Sequence, residues 1–249
     1  MKYFMANWKM NGDRSFWYNL AEQTAEQAKK FKADRFVIFP PFVALADVEN
    51  ALFEADKNMF LGAQDVSDEE SGAFTSQVSA DMLKGMGCSY VLVGHSECRE
   101  YLGQPDELLA LKVKAAQEKG LKVVLCIGET LDEYENKESI QVVVSQLEKC
   151  LEVSKSPELL AVAYEPVWAI GTGKVATVED IKPIFESIKK TLLDKFGAKG
   201  DNVALLYGGS VKADNATEIF SVDEINGVLV GGASLDATSF VDIARSAQF

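Results

Sequence analysis

Histidine is almost absent from this sequence: of 249 residues only His95 carries an imidazole, which excludes a multi-histidine metal centre. Cysteine is scarce and scattered. Cys88, Cys98, Cys126 and Cys150 form no Cys-x-x-Cys pair, so neither a zinc site nor a thioredoxin-like motif is indicated, and reduced, mostly buried thiols are expected. Long apolar runs are missing too. None approaches the ~20 residues needed to cross a bilayer, and Asn7 and Lys9 interrupt any signal-peptide core after Met1 and Lys2, so a cytoplasmic protein with no membrane partner is expected. Basic residues are in deficit, 25 against 38 acidic for a net charge of −13, which repels nucleic acid and anionic surfaces. Nucleic acid is not an expected partner, and any anionic ligand must be held locally.

What is present is a regular alternation of short apolar runs with longer amphipathic stretches. The runs are Tyr3 to Lys9, Phe36 to Phe39, Phe60 to Gln64, Tyr90 to Val93, Val123 to Ile127, Leu159 to Tyr164, Val203 to Tyr207 and Gly227 to Val230. They are continuously apolar, as strands buried on both faces of a parallel sheet must be. Between them lie helical stripes such as Trp17, Leu20, Thr24, Ala28 and Phe31 behind the cap candidate Ser15. A second stripe is Ile140, Val143, Val144, Leu147 and Leu151, and Ile181 to Leu192 follows a capping box, Thr177-x-x-Asp180. No Pro/Gly/Ser linker or composition shift divides the chain, so one domain over residues 1–249 is expected. Eight β-then-α units in about 250 residues predict an α/β fold of the single-domain (β/α)₈ or TIM-barrel class, with a doubly wound open sheet as the alternative.

In such a barrel every strand exit faces one mouth. The richest exit is the stretch Ala163 to Lys174. Pro166 cannot donate to a sheet ladder, so the strand stops at Glu165 and exposes its carboxylate there. Pro166, Trp168 and Ile170 are too apolar for a solvated loop, and Gly171, Thr172, Gly173 and Lys174 form a tip whose backbone can approach a ligand, so the segment reads as a lid. A carboxylate beside a water-excluding lid suits a general base. Gly171-x-Gly173-x-x-Ala176 also fits a loose dinucleotide fingerprint, although its glycines lie past the strand-to-helix turn; a solvated glutamate in an ordinary loop is the plainer reading. The first run delivers Asn7 and Lys9, on one side of a pleated strand, and the fourth delivers His95. A helix opening at Ser96, with Glu97 in its first turn, would keep that imidazole neutral and donating. Gly208-Gly209-Ser210 and Gly231-Gly232 end the last two runs, where these barrels usually bind phosphate.

With these residues assembled, the sequence resembles the triosephosphate isomerase family over its whole length. The resemblance is carried by Asn7-Trp-Lys9, Gly94-His-Ser-Glu97, Ala163 to Lys174, Tyr207-Gly-Gly-Ser210 and Val230-Gly-Gly-Ala-Ser234. It implies interconversion of dihydroxyacetone phosphate and D-glyceraldehyde 3-phosphate through an enediolate, a step of glycolysis and gluconeogenesis, with no cofactor and no metal. It also carries over the family's roles: Glu165 as base, neutral His95 as electrophile, Lys9 stabilising negative charge and Asn7 orienting the oxygens. Gly171, Ser210, Gly231 and Gly232 would offer N–H groups to the phosphate. Ser96, and Trp168 with Glu129, would hold the open lid; Tyr207 would latch the closed one.

The resemblance further implies a homodimer in which Thr75, on the polar loop Asp65 to Gln77, reaches the partner's active site. Here the sequence departs from the family. Gln77, Cys98 and Gln104 stand where charged Glu, Arg and Glu are common, and Asp65 replaces the usual Asn. Loss of all three charges together avoids leaving one buried and unpaired, so a dimer with altered interfacial polarity is expected. Two other classes stay open: another phosphosugar enzyme on the same barrel, and a non-catalytic binding protein. The retention of Lys9, His95 and Glu165 argues against both.

Overall fold

The computed structural model describes residues 1–169 and 176–248. Eight parallel strands close into a barrel in sequence order: β1 Tyr3–Asn7, β2 Arg35–Phe39, β3 Met59–Ala63, β4 Tyr90–Val93, β5 Lys122–Ile127, β6 Leu160–Tyr164, β7 Ala204–Tyr207 and β8 Gly227–Val230. β1 pairs with both β2 and β8, which removes any free edge. The open-sheet alternative is thereby ruled out. Each observed strand lies within one or two residues of its apolar run.

The continuous burial of each strand divides into two cores by parity. One set of side chains, including Met5, Val37, Leu92, Val124, Ala163 and Leu206, fills the barrel; the alternate set, including Phe4, Phe36, Ile38, Val91, Val123 and Val162, packs under the helices. Phe36 is the hub of the outer core on the β1–β2 side, with Phe4 stacked at 5.2 Å and Phe240 edge-on at 6.0 Å. Such rings bury large apolar areas in fixed mutual geometry.

Local signals account for most helix boundaries. The helix Val178–Phe196 starts at the capping box of Thr177 and Asp180, as its sequence spacing predicts. The helix Arg14–Ala28 is capped by Asp13 and not by Ser15: the Asp13 carboxylate accepts from the Phe16 amide, and the Ser15 hydroxyl donates to that carboxylate. A carboxylate competes better than a hydroxyl at this position because it also meets the helix dipole. Phe31 falls beyond that helix and packs against the outer core from the following turn. Ile140, the second residue of the helix Ser139–Leu151, is exposed, whereas Val143, Leu147 and Leu151 are buried as expected.

Candidate active site

Five segments converge on a cavity of about 360 Å³ at the C-terminal mouth, and Asn7, Lys9, His95 and Glu165 line it opposite the two glycine turns. Glu165 occupies the first position after β6. Its amide donates to Ile127 O at 2.8 Å, which extends the β5–β6 ladder by one residue and fixes the direction in which the side chain leaves. The neighbouring strand exits come so close that side chains there would collide with it. A Cβ at Gly128 would lie 1.8 Å from the Glu165 carbonyl oxygen, and one at Gly208 would lie 2.8 Å from Glu165 Cγ.

Glu165 is 2% exposed. One oxygen lies 3.0 Å from His95 Nε2 and the other accepts from the Ser96 amide at 3.0 Å. Burial pushes Glu165 up, but the charge and hydrogen bond of His95, the Ser96 amide and the charge of Lys9 leave it below the usual carboxylate range. It is therefore stored as an anion in a nearly dry site.

His95 sits at the N-cap of the short helix Ser96–Tyr101, a place the sequence suggested for Ser96. Its Nδ1 accepts from the Glu97 amide at 3.3 Å, so the ring proton resides on Nε2 and faces Glu165. Opposing influences act on the ring. Burial pushes His95 down, while the charge and hydrogen bond of Glu165, with the charge of Glu97, outweigh burial and raise it. The contact at Nδ1 decides the tautomer, because a second ring proton would set one N–H against another at a helix start. The Glu97 amide at Nδ1 thus favours the neutral ring, while the Glu165 and Glu97 carboxylates favour the protonated one.

Lys9 reaches the cavity by a route that strand pleating does not describe. β1 ends at Asn7, and Lys9 adopts a left-handed backbone with φ of 52°. Three contacts hold it there: the Asn7 side chain accepts from the Lys9 amide at 3.0 Å, and the Gln64 carboxamide donates to the carbonyls of Lys9 and Phe39, each at 2.9 Å. Gln64 thus supports Lys9, a role missed in the sequence although a glutamine closing an apolar run was the available signal. The Lys9 ammonium lies 2.7 Å from Glu97 Oε1. Lys212, on the rim after the first glycine turn, is a second cation that sequence reasoning passed over.

The base of the lid segment is anchored. Pro166, Trp168 and Ala169 are buried, and Trp168 Nε1 donates to Glu129 Oε1 at 2.9 Å while its ring stacks on Tyr134 at 4.0 Å. Tyr164 adds a second donor to the same Glu129 oxygen at 3.0 Å. Burial raises Glu129 above the usual carboxylate range despite these donors. Ile170, Gly171, Thr172, Gly173 and Lys174 lie outside the described residues. Tyr207, at the end of β7, is buried, and burial pushes its hydroxyl up to about 12. Ser210 is exposed on the first glycine turn, and Gly232 begins a short helical turn, Gly232–Leu235, whose leading N–H groups have no partner within the turn. Among the described residues no group of three or more His, Cys, Asp or Glu side chains is placed to hold a metal ion.

A family model described as triosephosphate isomerase matches residues 2–247. The chain belongs to the triosephosphate isomerase family. It is 44% identical over 243 residues to the triosephosphate isomerase of Marinobacter nauticus, covering 96% of this chain and 95% of that one. The triosephosphate isomerase of Nitratidesulfovibrio vulgaris is 46% identical over 246 residues, covering 96% and 97%. The crystal structure of triosephosphate isomerase from Bartonella henselae superposes with a TM-score of 0.90 at 35% identity, covering 98% of each chain. Membership makes this chain one of a family of isomerases.

The sequence-based departures from the family cluster around one newly visible ion pair. Both oxygens of Asp65 lie 2.8 Å from the ammonium of Lys112, a buried lysine, and Gln104 Nε2 donates to Asp65 at 2.8 Å. Charge absent from positions 98 and 104 is thus present beside them, within one chain. Gln77 instead accepts from Ser67, and Thr75 stands exposed on its loop. Burial, with the charge of Asp65, pushes the Cys98 thiol up to about 11, which makes it a poor nucleophile at neutral pH.

The anchoring of Trp168 and Tyr164 on one carboxylate oxygen generates a specific expectation. Glu129→Leu strands two buried donors and should cost about 3 kcal/mol in urea unfolding, whereas Glu129→Gln keeps an acceptor and should cost about 1 kcal/mol or less. Equal losses in the two variants would show that the acceptor is not what anchors the segment.

Proposed function

We propose that this chain interconverts dihydroxyacetone phosphate and D-glyceraldehyde 3-phosphate by proton transfer, with Glu165 as the base. The observation that carries the reading is a buried, anionic Glu165 facing the Nε2 proton of His95 in a cavity shared with Lys9. A substrate carbonyl placed between them would take over the His95 hydrogen bond and free the carboxylate to turn toward the adjacent carbon. Abstraction of a proton there builds negative charge on the carbonyl oxygen, which His95 Nε2–H and the Lys9 ammonium are positioned to stabilise. Asn7 orients the two oxygens, and return of the proton to the neighbouring carbon completes the isomerisation. No redox step is required, and His95 and Lys9 supply the stabilisation of the developing oxyanion, so the proposed chemistry calls for neither a redox cofactor nor a metal.

The phosphate would lie on the opposite wall, against the N–H groups of Ser210, Gly231 and Gly232, with Gly171 closing from the lid. Lys212 adds positive charge at that rim. In this reading the net charge of −13 makes such local cations the reason an anionic substrate binds at all. The contacts of Glu165 with the Ser96 amide and of Trp168 with Glu129 belong to the state that waits for substrate, and lid closure would exclude water from the enediolate. Tyr207 is assigned as a latch for the closed lid. Reduced, unbridged cysteines fit a cytoplasmic setting.

A homodimer completes the proposal. Beside Lys9 and His95 a groove of about 490 Å³ opens sideways, and its rim carries the exposed apolar residues Met10, Tyr101 and Leu102. The loop bearing Phe74 and Thr75 projects from the same chain, and a second copy's loop would fill that groove and close the active site from the side.

Two measurements follow. Purified protein treated with a chelator should turn over D-glyceraldehyde 3-phosphate, and Glu165→Gln should lower kcat by about a thousandfold with the fold intact; a variant with near-normal turnover would remove Glu165 as base. Sedimentation at micromolar concentration should give a dimer, and monomer at every concentration would overturn the assembly.

A further inference from the structure

We propose that the N-terminal mouth of the barrel, the end opposite the catalytic cavity, binds a small oxyanion of the phosphate class. Its floor is built from four polar side chains that share the inward parity of their strands: Tyr3 on β1, Arg35 on β2, Tyr90 on β4 and Lys122 on β5. Tyr3 and Arg35 are register partners, as are Tyr90 and Lys122, so two like pairs stand in one layer. The donors cross the barrel: Arg35 reaches the Tyr90 hydroxyl at 3.5 Å, and Lys122 reaches the Tyr3 hydroxyl at 3.5 Å.

Almost every polar atom in this layer is a donor. Guanidinium and ammonium have no acceptor capacity, and each tyrosine oxygen already receives a cation, which leaves its own proton to give. Neither Arg35 nor Lys122 forms a salt bridge with a carboxylate among the described residues. Burial, then the charge of Arg35, push Lys122 below the usual lysine range. Phe60 and Tyr3 offer their ring faces to the two cations at 5.1 Å each, a partial compensation that supplies no anion. Adjacent to the layer is a cavity of about 420 Å³, in which Arg35 and Phe60 are joined by Lys32 and Lys57. Asp34 and Asp56 border it as well, but the Asp34 carboxylate is already occupied by the Lys2 amide and Gln248, each at 2.8 Å. A tetrahedral oxyanion is acceptor-only: in that cavity it would pair with Arg35 beside Lys32 and Lys57, while Lys122, which is outside the cavity lining, adds positive charge from the layer behind.

The test is a phosphate titration of the isotope-labelled full chain followed by amide NMR, which separates the two mouths by position. In the wild type, amides around Arg35, Phe60 and Lys122 should shift saturably, independently of those around Ser210 and Gly232. Arg35→Gln should weaken the lower response about tenfold or more and Lys122→Met by a smaller factor, both leaving the upper response and turnover unchanged, and Lys122→Arg should retain it. A wild-type lower mouth that does not respond overturns the proposal, as does a response that persists undiminished in both charge-removing variants. The unchanged upper response shows that a variant is folded, and the wild-type arm decides the matter even where one variant fails to fold.

Discussion

Everything at the catalytic mouth is arranged around one buried carboxylate. Removing an ionised glutamate from water is unfavourable unless its lone pairs are occupied, and here the His95 ring and the Ser96 amide occupy them. Those two donors come from the start of the same short helix, so the position of β4 relative to β6 determines whether Glu165 stays charged. The glycines at 128 and 208 exist to let the flanking strand exits come that close. A base held so firmly is idle until a substrate displaces its partners, which couples binding to activation.

The cation beside it depends on a different device. Lys9 departs from strand geometry, and a left-handed lysine is unfavourable without support. Asn7 and Gln64 provide that support from consecutive sides, with Gln64 also tying β1 to β2 through Phe39. The same inward parity that delivers Asn7 at one end of β1 delivers Tyr3 at the other, so the two mouths of the barrel are polar for one geometric reason. Between them the layers are apolar.

The barrel itself was legible because eight apolar runs alternate with amphipathic stretches, a signal of period and spacing. Asn7, Lys9, His95 and Glu165 were legible because each ends a run, and the structure brings those four into one cavity. What sequence reasoning could not supply were contacts between distant positions. Lys112 looks like one more residue of a helix until Asp65 meets it, and Gln64 looks like a strand terminus until Lys9 turns left-handed beside it. The cap of the helix Ser96–Tyr101 was misplaced by one residue because histidine is an uncommon cap, and only the geometry shows its Nδ1 receiving the Glu97 amide.

A carboxylate that moves a proton between two carbons leaves a mark in the isotope content of its product. Isomerisation run in D₂O, with the product analysed by proton NMR, tests for it most directly. A proton parked on Glu165 exchanges with solvent during some turnovers, so deuterium should appear at the carbon that is reprotonated. Product free of deuterium at every stage of the reaction would point to direct hydride transfer between the carbons and would contradict a glutamate base.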